Sequence, residues 1–550
     1  MGPGAADIAE IVPEIHRKLT DLATPQSLEP EQARFRLFDS ITTFLKSASQ
    51  GQPLILVLDD LQWADKPSLL LLEFLARELA ETHLLVIGTY RDIELPRRHP
   101  LADTLGELNR ERLFQRILVR GLNQQDVGRI IENTSNVPPP AWLIEAVHTQ
   151  TEGNPLFVME VVRLLAQEGE LTGENAITQE SWTVRIPEGV REVIGRRLNR
   201  LSQRCNETLA VASVIGREFE LRQLAPVIGD MSEDLLLDLL EEALAARVVE
   251  ELPQAVSRYQ FTHSLIQETL ATELSLTRRV RLHARIAETL EDLYGDDAEA
   301  HASELAYHFS EAASSNEPEK LAKYSTLAGE QALAVYAYEE AQSCYQQGLV
   351  ALGVPLTVTE PAKNSQEAAL LAGLGRAELA ILPRFQLSLA VALLRRAADY
   401  YVRNGDVAGA VAVAEQPIPT MGLSTGMTQL IAHVLSHVAP GSHAAGRTLC
   451  NYGMVLGLDE VDYRGAQEAF RQALDIAQRE RDSILEARAQ QGTFEVDIFH
   501  LRFRQAVEKG RRAIELSRNA GDLFAEARGL MWTCRVMLLS GDLEEARQHL

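Results

Sequence analysis

The sequence predicts an α/β segment followed by mostly α structure: a small parallel sheet, a helical and winged-helix-like region, and a long α-solenoid. Three observations carry that prediction. Two short apolar runs, 54–58 and 84–88, flank a helix-length stretch, the spacing of a βαβ unit with parallel strands. A residue pattern recurs at an interval of 40 residues toward the carboxyl end. Ala, Leu, Glu and Arg are abundant while aromatic residues make up 6%, a composition that favours helix. At 550 residues the chain exceeds what one core can hold, so roughly three to four domains are expected.

The first run, Leu54-Ile55-Leu56-Val57-Leu58, ends in Asp59-Asp60-Leu61-Gln62-Trp63-Ala64-Asp65. An unbroken apolar run predicts a strand covered on both faces. Ligands of such sheets sit beyond the carboxyl ends of the strands, where Asp59 and Asp60 fall. In a P-loop ATPase the first of two such acids holds Mg²⁺, and a neighbouring acid can polarise the attacking water. The strand alone fits a core strand followed by a polar turn equally well. Upstream, Ile8, Ile11, Ile15 and Leu19 have helical spacing. A turn is expected at Pro25–Pro30, then a second amphipathic helix through Phe35, Leu37, Phe38, Ile41, Phe44 and Leu45.

Downstream, Asp65 can cap a helix with Pro67 in its first turn, running to about Glu81. The second strand ends at Gly88-Thr89-Tyr90-Arg91-Asp92, which places Thr89 and Arg91 at the same sheet edge as the two acids. A hydroxyl and a guanidinium there could sense a γ-phosphate, since Arg binds phosphate bidentately. The alternative is a surface Arg paired with Asp92 or Glu94. A third short strand is expected around Arg116–Val119, and Asn123 to Asp126 resembles a helix-opening capping box.

Residues 121–185 read as a small helical region, with Trp142, Leu143, Ala146 and Val147 on one face. Thr151-Glu152-Gly153-Asn154-Pro155-Leu156-Phe157 punctuates two helices, and a simple interhelical turn explains it fully in isolation. Residues 186–290 are mixed. Arg196, Arg200 and Arg204 fall at i, i+4 spacing, as on one solvated helix face. Short hairpin-like strands are expected at 248–252 and 257–261, so helices plus a β-wing make this region winged-helix-like. Its surroundings are not strongly basic, which favours an intramolecular element over a DNA reader.

From about 298 onward the chain reads as helix. Asp462-Tyr463-Arg464-Gly465-Ala466, Arg502-Phe503-Arg504-Gln505-Ala506 and Asp542-Leu543-Glu544-Glu545-Ala546 are each 40 residues apart, and Asp482, Ala487 and Arg488 match Asp522, Ala527 and Arg528. This is the mark of a helix-turn-helix solenoid of tetratricopeptide type. Weaker units lie at Tyr338–Ala341 and Gly405–Ala408. Such arrays bind partners rather than do chemistry.

Composition excludes several functions. A balance of 53 Lys and Arg against 78 Asp and Glu, −25 overall, argues against nonspecific binding to nucleic acid or an anionic membrane. The four cysteines form no CxxC pair, and the 13 histidines show no HExxH spacing. Neither signal peptide nor membrane span is expected, and a reducing cytoplasm is the default location.

Taken in order, Asp59–Asp65, Gly88–Asp92, Thr151–Pro155 and Phe261-Thr262-His263-Ser264-Leu265 resemble bacterial signal-transduction ATPases with numerous domains. The resemblance covers nearly the whole chain and is greatest to large regulators with an AAA-type ATPase module followed by tetratricopeptide repeats. Some of these end in a LuxR-type DNA-binding helix-turn-helix; others carry a cyclase or kinase domain. It implies a partial P-loop NTPase core over 1–120, a helical lid over 121–185, a winged-helix-like domain over 186–290 and repeats over 298–550. It also implies ATP or ADP with Mg²⁺ as cofactors. Asp59 and Asp60 correspond to the Walker B acids, with Mg²⁺ on Asp59, and Arg91 with Thr89 to the sensor-one position. Gly153 and Pro155 correspond to the glycine–proline element near the adenine, and His263 to a histidine facing the phosphate.

The departure is the phosphate loop. No G-x-x-x-x-G-K-[S/T] occurs in the 550 residues, and only 53 residues precede Leu54. Without those backbone amides and that Lys, little cradles the β- and γ-phosphates. The chain therefore reads as a fragment open at both ends, with weak or no nucleotide binding of its own. Two functions of different class follow. One is part of an ATP-dependent signalling or transcriptional switch whose repeats sense a protein or small molecule, with possible self-association and DNA contact only through a domain absent here. The other is a nucleotide-free interaction scaffold on a degenerate ATPase remnant.

Overall fold

The computed structural model describes residues 4–19, 22, 30–80, 82–91, 99–111, 114–167, 194–195, 198–229, 231–252, 256–312, 318–416, 424–519 and 523–540. They form two compact units, 1–114 with 317–550, and 115–316. Among the described residues, no helix is long and apolar enough to cross a membrane.

The amino-terminal part of the first unit opens with α1 (Ala5–Ile11) and α2 (Glu14–Lys18), split at Pro13, which lies just before α2 begins. The amphipathic segment is one helix, α3 (Pro30–Gly51). Its Ser40 hydroxyl donates to the buried Asp7 carboxylate at 2.9 Å, and Arg36 pairs with the same group at 2.7 Å. Strand β1 (Leu54–Leu58) leads through a 3-10 turn at Leu61–Trp63 into α4 (Lys66–Arg77). As expected, Asp65 caps α4, accepting from the Ser68 amide at 2.9 Å, with Pro67 in the first turn. The helix stops at Arg77, short of Glu81. Strand β2 (Leu84–Gly88) pairs with β1 in parallel, Leu54 opposite Leu84 through Leu58 opposite Gly88, and α5 (Pro100–Arg110) follows.

One expectation fails here. β1 is not covered on both faces: Ile55 and Val57 are 66% and 58% exposed, and their partners Leu85 and Ile87 are 55% and 42% exposed. Side chains alternate across a strand, so these four share one open face. An apolar run identifies a strand; it does not supply the second layer that would cover it.

The second unit begins with another departure. Residues 116–119 are irregular, with Ile117, Leu118 and Val119 exposed, and no described residue pairs with them as a strand. A strand exists only where a neighbour offers free backbone donors and acceptors. Then come α6 (Gln124–Ser135), capped by Asn123 on the Asp126 amide at 2.9 Å, α7 (Ala141–Thr151) and α8 (Pro155–Gln167). Val127, Ile131, Leu143, Val147, Phe157 and Val161 form their common core.

Arg196 lies outside the described residues. Arg200 and Arg204 do not share one helix, because Ser202 caps a new one, α9 (Gln203–Ile215), through the Cys205 amide at 3.1 Å. Next are β3 (Glu218–Glu220), α10 (Leu221–Ile228) and α11 (Glu233–Ala245), then the hairpin β4 (Val249–Glu251) and β5 (Arg258–Phe261). The sheet is antiparallel in the order β3-β5-β4, and Phe219 and Phe261 are buried with ring centres 5.6 Å apart. Helices α12 (Ser264–Glu273), α13 (Leu276–Tyr294) and α14 (Ala302–Glu311) complete the unit.

The array belongs to the first unit. It comprises α15 (Pro318–Ala334), α16 (Tyr338–Ala351), α17 (Ser365–Ile381), α18 (Leu387–Arg403), α19 (Val407–Ala414), α20 (Met427–Leu435), α21 (His443–Leu458), α22 (Tyr463–Glu480), α23 (Ser483–Phe499), α24 (Phe503–Asn519) and α25 (Leu523–Ser540). Asp406, Asp462 and Asp482 each cap a helix, accepting from the amides of Gly409, Gly465 and Leu485 at 2.9, 3.0 and 2.9 Å. The third repeat, from Asp542, lies outside the described residues.

Small residues face large ones between layers. Tyr345 is fully buried between Gly329 and Gly373, where a methyl group would come within 2.5 and 2.3 Å of its ring. Phe470 sits likewise between Gly453 and Gly492, at 2.8 and 2.5 Å. The start of the array docks on the amino-terminal helices. The Tyr338 hydroxyl donates to the Pro30 carbonyl at 3.0 Å, Tyr336 donates to Glu10 at 2.6 Å, and Arg34 pairs with Glu339 at 3.3 Å. All four cysteines are free, and burial raises the Cys205 and Cys450 thiols to about 12.

Candidate functional site: paired carboxylates at the sheet edge

The two parallel strands end side by side, which brings Asp59 and Asp60 next to Thr89. The ladder continues past the strands: the Thr89 amide donates to the Leu58 carbonyl at 2.9 Å, and the Leu61 amide donates to the Thr89 carbonyl at 2.8 Å. Thr89 Oγ1 then does two things. It donates to Asp59 Oδ1 and accepts from the Asp60 amide, the latter at 2.9 Å. One hydroxyl thus orients one carboxylate and fixes the backbone that carries the other.

The backbone at Asp60 is left-handed, with φ 55° and ψ 46°. Asp tolerates that region better than most residues. The bend turns the chain from the strand into the 3-10 turn. Gln62 is buried beneath it; its Nε2 donates to Asp60 Oδ1 at 2.9 Å and its Oε1 accepts from the Arg91 amide at 3.3 Å. Gln62 is the residue that sequence reasoning missed. It stood within the acidic stretch, but nothing in its spacing showed that it would tie Asp60 to the backbone of Arg91. Gly88 leaves room for Leu61, whose methyl group would lie 2.5 Å from an added Cβ.

Asp59 is exposed, and its second oxygen takes no hydrogen bond from a described residue. Mg²⁺ is bound by one or two carboxylates together with waters and substrate phosphates, and Asp59 fits that part of a site. No group of three or more His, Cys, Asp or Glu able to hold a metal by itself occurs among the described residues. The phosphate side does not fit, because the chain offers no glycine-rich loop with Lys. The Arg91 side chain is exposed, and its candidate partners Asp92 and Glu94 lie outside the described residues.

The remaining expected residues belong to the second unit. Gly153 has φ 71°, and its carbonyl accepts from the Leu122 amide at 2.7 Å. A Cβ there would meet the Leu122 carbonyl at 2.1 Å, so the close approach of two backbones explains this glycine. Pro155 opens α8, and the Asn154 side chain accepts from the Phe157 amide at 3.2 Å. His263 is exposed and precedes α12 without capping it through its side chain.

Residues 4–87 match the family model described as an AAA ATPase domain. The amino-terminal segment is AAA-ATPase-like. It spans α1 through β2 and includes both acids of the site. The chain is also 23% identical over 175 residues to a hybrid signal transduction histidine kinase of Dictyostelium discoideum, covering 30% of this chain and 5% of that protein. It is 24% identical over 289 residues to an uncharacterised protein of Rhizobium meliloti, covering 51% of this chain and 26% of that protein. The chain thus spans a minor part of both relatives. A solved structure of a signal transduction ATPase with numerous domains and a tetratricopeptide repeat sensor, from Pyrococcus horikoshii, is similar at 12% identity and a TM-score of 0.34. That similarity covers 93% of this chain and 75% of the other.

Proposed function

We propose that the chain contributes the metal-holding half of a nucleotide site to an ATP-dependent signal-transduction or transcriptional regulator, and that its repeats form the sensing half. One observation carries the reading: Thr89 joins Asp59 and Asp60 at the carboxyl ends of two parallel strands, both acids lying within the AAA-ATPase-like segment and Thr89 just past its end. In this reading Asp59 and Asp60 act as Walker B acids, Asp59 binds Mg²⁺, and Thr89 and Arg91 report the γ-phosphate. When bound, Mg²⁺ would neutralise phosphate charge. Asp60, held by Gln62, would orient the attacking water. Gly153, Pro155 and His263 are further proposed nucleotide contacts, and local packing by itself also accounts for the first two.

The helices and sheet of residues 203–294 are consistent with a winged-helix element that moves with nucleotide state. Partners would be a protein or small-molecule signal on the array, with DNA reached only through a domain outside this chain. A nucleotide-free scaffold is the second reading, favoured by the absence of a phosphate loop from these 550 residues.

The test has two arms. Calorimetric titration of this chain with Mg·ATP is expected to show no micromolar binding. Binding that Asp59→Ala abolishes would overturn the half-site assignment. The coding DNA upstream of Met1 is then read. An in-frame G-x-x-x-x-G-K-[S/T] that confers Asp59-dependent ATP binding supports the switch, whereas a promoter and ribosome site at Met1 support the scaffold.

A further inference from the structure

A cleft of ≈ 550 Å³ lies between α20, α21 and α22. That volume lies within the range of small-molecule sites, roughly 300–1,000 Å³. Its walls are mixed: Leu435, Val438, Leu449 and Ile476 form the apolar part, and Ser436, Gln472 and Asp475 are among the polar residues beside them. Two polar groups on its surface have donors to spare. Tyr452 lines the cleft, and no described residue hydrogen-bonds its hydroxyl. Arg479 donates to the Gly441 carbonyl and lies 3.8 Å from Glu480, an ion pair beyond hydrogen-bond length; its guanidinium keeps further N–H groups. Gly441, with φ 74°, carries no side chain to cover it. Asp475, the acid in the lining, accepts at 2.9 Å from Arg471, a guanidinium it shares with Glu468, and Arg479 is the cationic side chain of the lining.

We infer that this cleft binds a small molecule with an apolar body and a single carboxylate, the carboxylate meeting Arg479 and the body lying against Leu449 and Ile476. Guanidinium–carboxylate bonds are charge-assisted, and the apolar wall supplies the remainder of the affinity. The inference deepens the proposed sensing role of the array and rests on it for its meaning. It predicts binding without nucleotide.

The probe is decanoate, titrated calorimetrically into the full chain, with decanol as the uncharged control. Decanoate is expected to bind more tightly than decanol. Arg479→Gln should weaken decanoate about tenfold and leave decanol unchanged, as the loss of a charge-assisted bond implies. Leu449→Trp should weaken both by filling the cleft. Arg479 is exposed, so its variant keeps the test valid if Leu449→Trp disturbs folding, which circular dichroism would report. Absent decanoate binding, equal binding of acid and alcohol, or indifference to Arg479→Gln would each overturn the inference. Those outcomes leave ATP binding untouched, so a failure here is distinct from a failure of the nucleotide switch.

Discussion

The two-stranded sheet and the repeat array use similar residues to different effect. In the array, Leu370, Leu374, Leu394 and Tyr345 are fully buried. In the sheet, Ile55, Val57, Leu85 and Ile87 stand 42–66% exposed. The reason lies in the range of the contacts. Each repeat helix is covered by neighbours adjacent in sequence, so a stretch of chain brings its own cover. A parallel sheet is completed by strands and helices from elsewhere, and β1 and β2 have one layer only. Local architectures close on themselves, and non-local ones depend on segments distant in the chain for their cover.

Four substitutions or conditions would sharpen or break this contrast. The largest effect is expected in the array. Phe470→Ala removes a buried ring held between Gly453 and Gly492 and should cost about 3–5 kcal/mol in denaturant unfolding. A cost below 1 kcal/mol would show that the array packs more loosely than its buried core implies.

The next concerns the second unit, where His283 and His308 are buried with Nδ1 atoms 3.0 Å apart. Burial, and then the charge of His283, push the His308 imidazole down to about 3, while burial also lowers His283, with Arg279 adding and Glu311 opposing. The folded value lies below the ordinary 6.5, so the unfolded chain gains protons first. Stability is full above about pH 6.5 and falls toward pH 3, by about 1.4 kcal/mol per pH unit for His308. Urea midpoints measured across that window should show the slope, and His308→Leu should flatten it.

Removal of a cap is smaller. Asp482→Ala deprives the amides of Leu485 and Ile484 of their acceptor and should cost about 1 kcal/mol, read as a lowered unfolding midpoint. The smallest effect belongs to the open sheet face. Ile55→Thr with Val57→Thr should change stability by no more than about 0.5 kcal/mol, because little contact is lost. A loss above 2 kcal/mol would mean that this face is covered in solution and would remove the contrast between the two regions.

Much of this was legible beforehand. Asp65 and Pro67 announced α4, Asn123 announced α6, and the 40-residue spacing announced α22 to α25, because caps and repeats are local signals. The acids at the end of β1 and the Thr89–Arg91 edge were legible for the same reason: a strand that ends in polar residues places them at a rim. The limits were equally physical. The strand expected at 116–119 fails because pairing needs a partner, and the supposed arginine face at 196–204 is broken by a Ser202 cap.

The sequence by itself determined the kinds of element, their order, and the placing of two carboxylates at the end of one strand with Thr89 and Arg91 at the end of the next. Tertiary structure alone decided that one Thr89 hydroxyl would serve both acids, that Gln62 would be buried beneath them, and that the sheet would keep an open face. Local propensity and capping act within a few residues and can be read in order. Burial and hydrogen-bond partnership depend on what arrives from elsewhere in the chain, which no single stretch of sequence encodes.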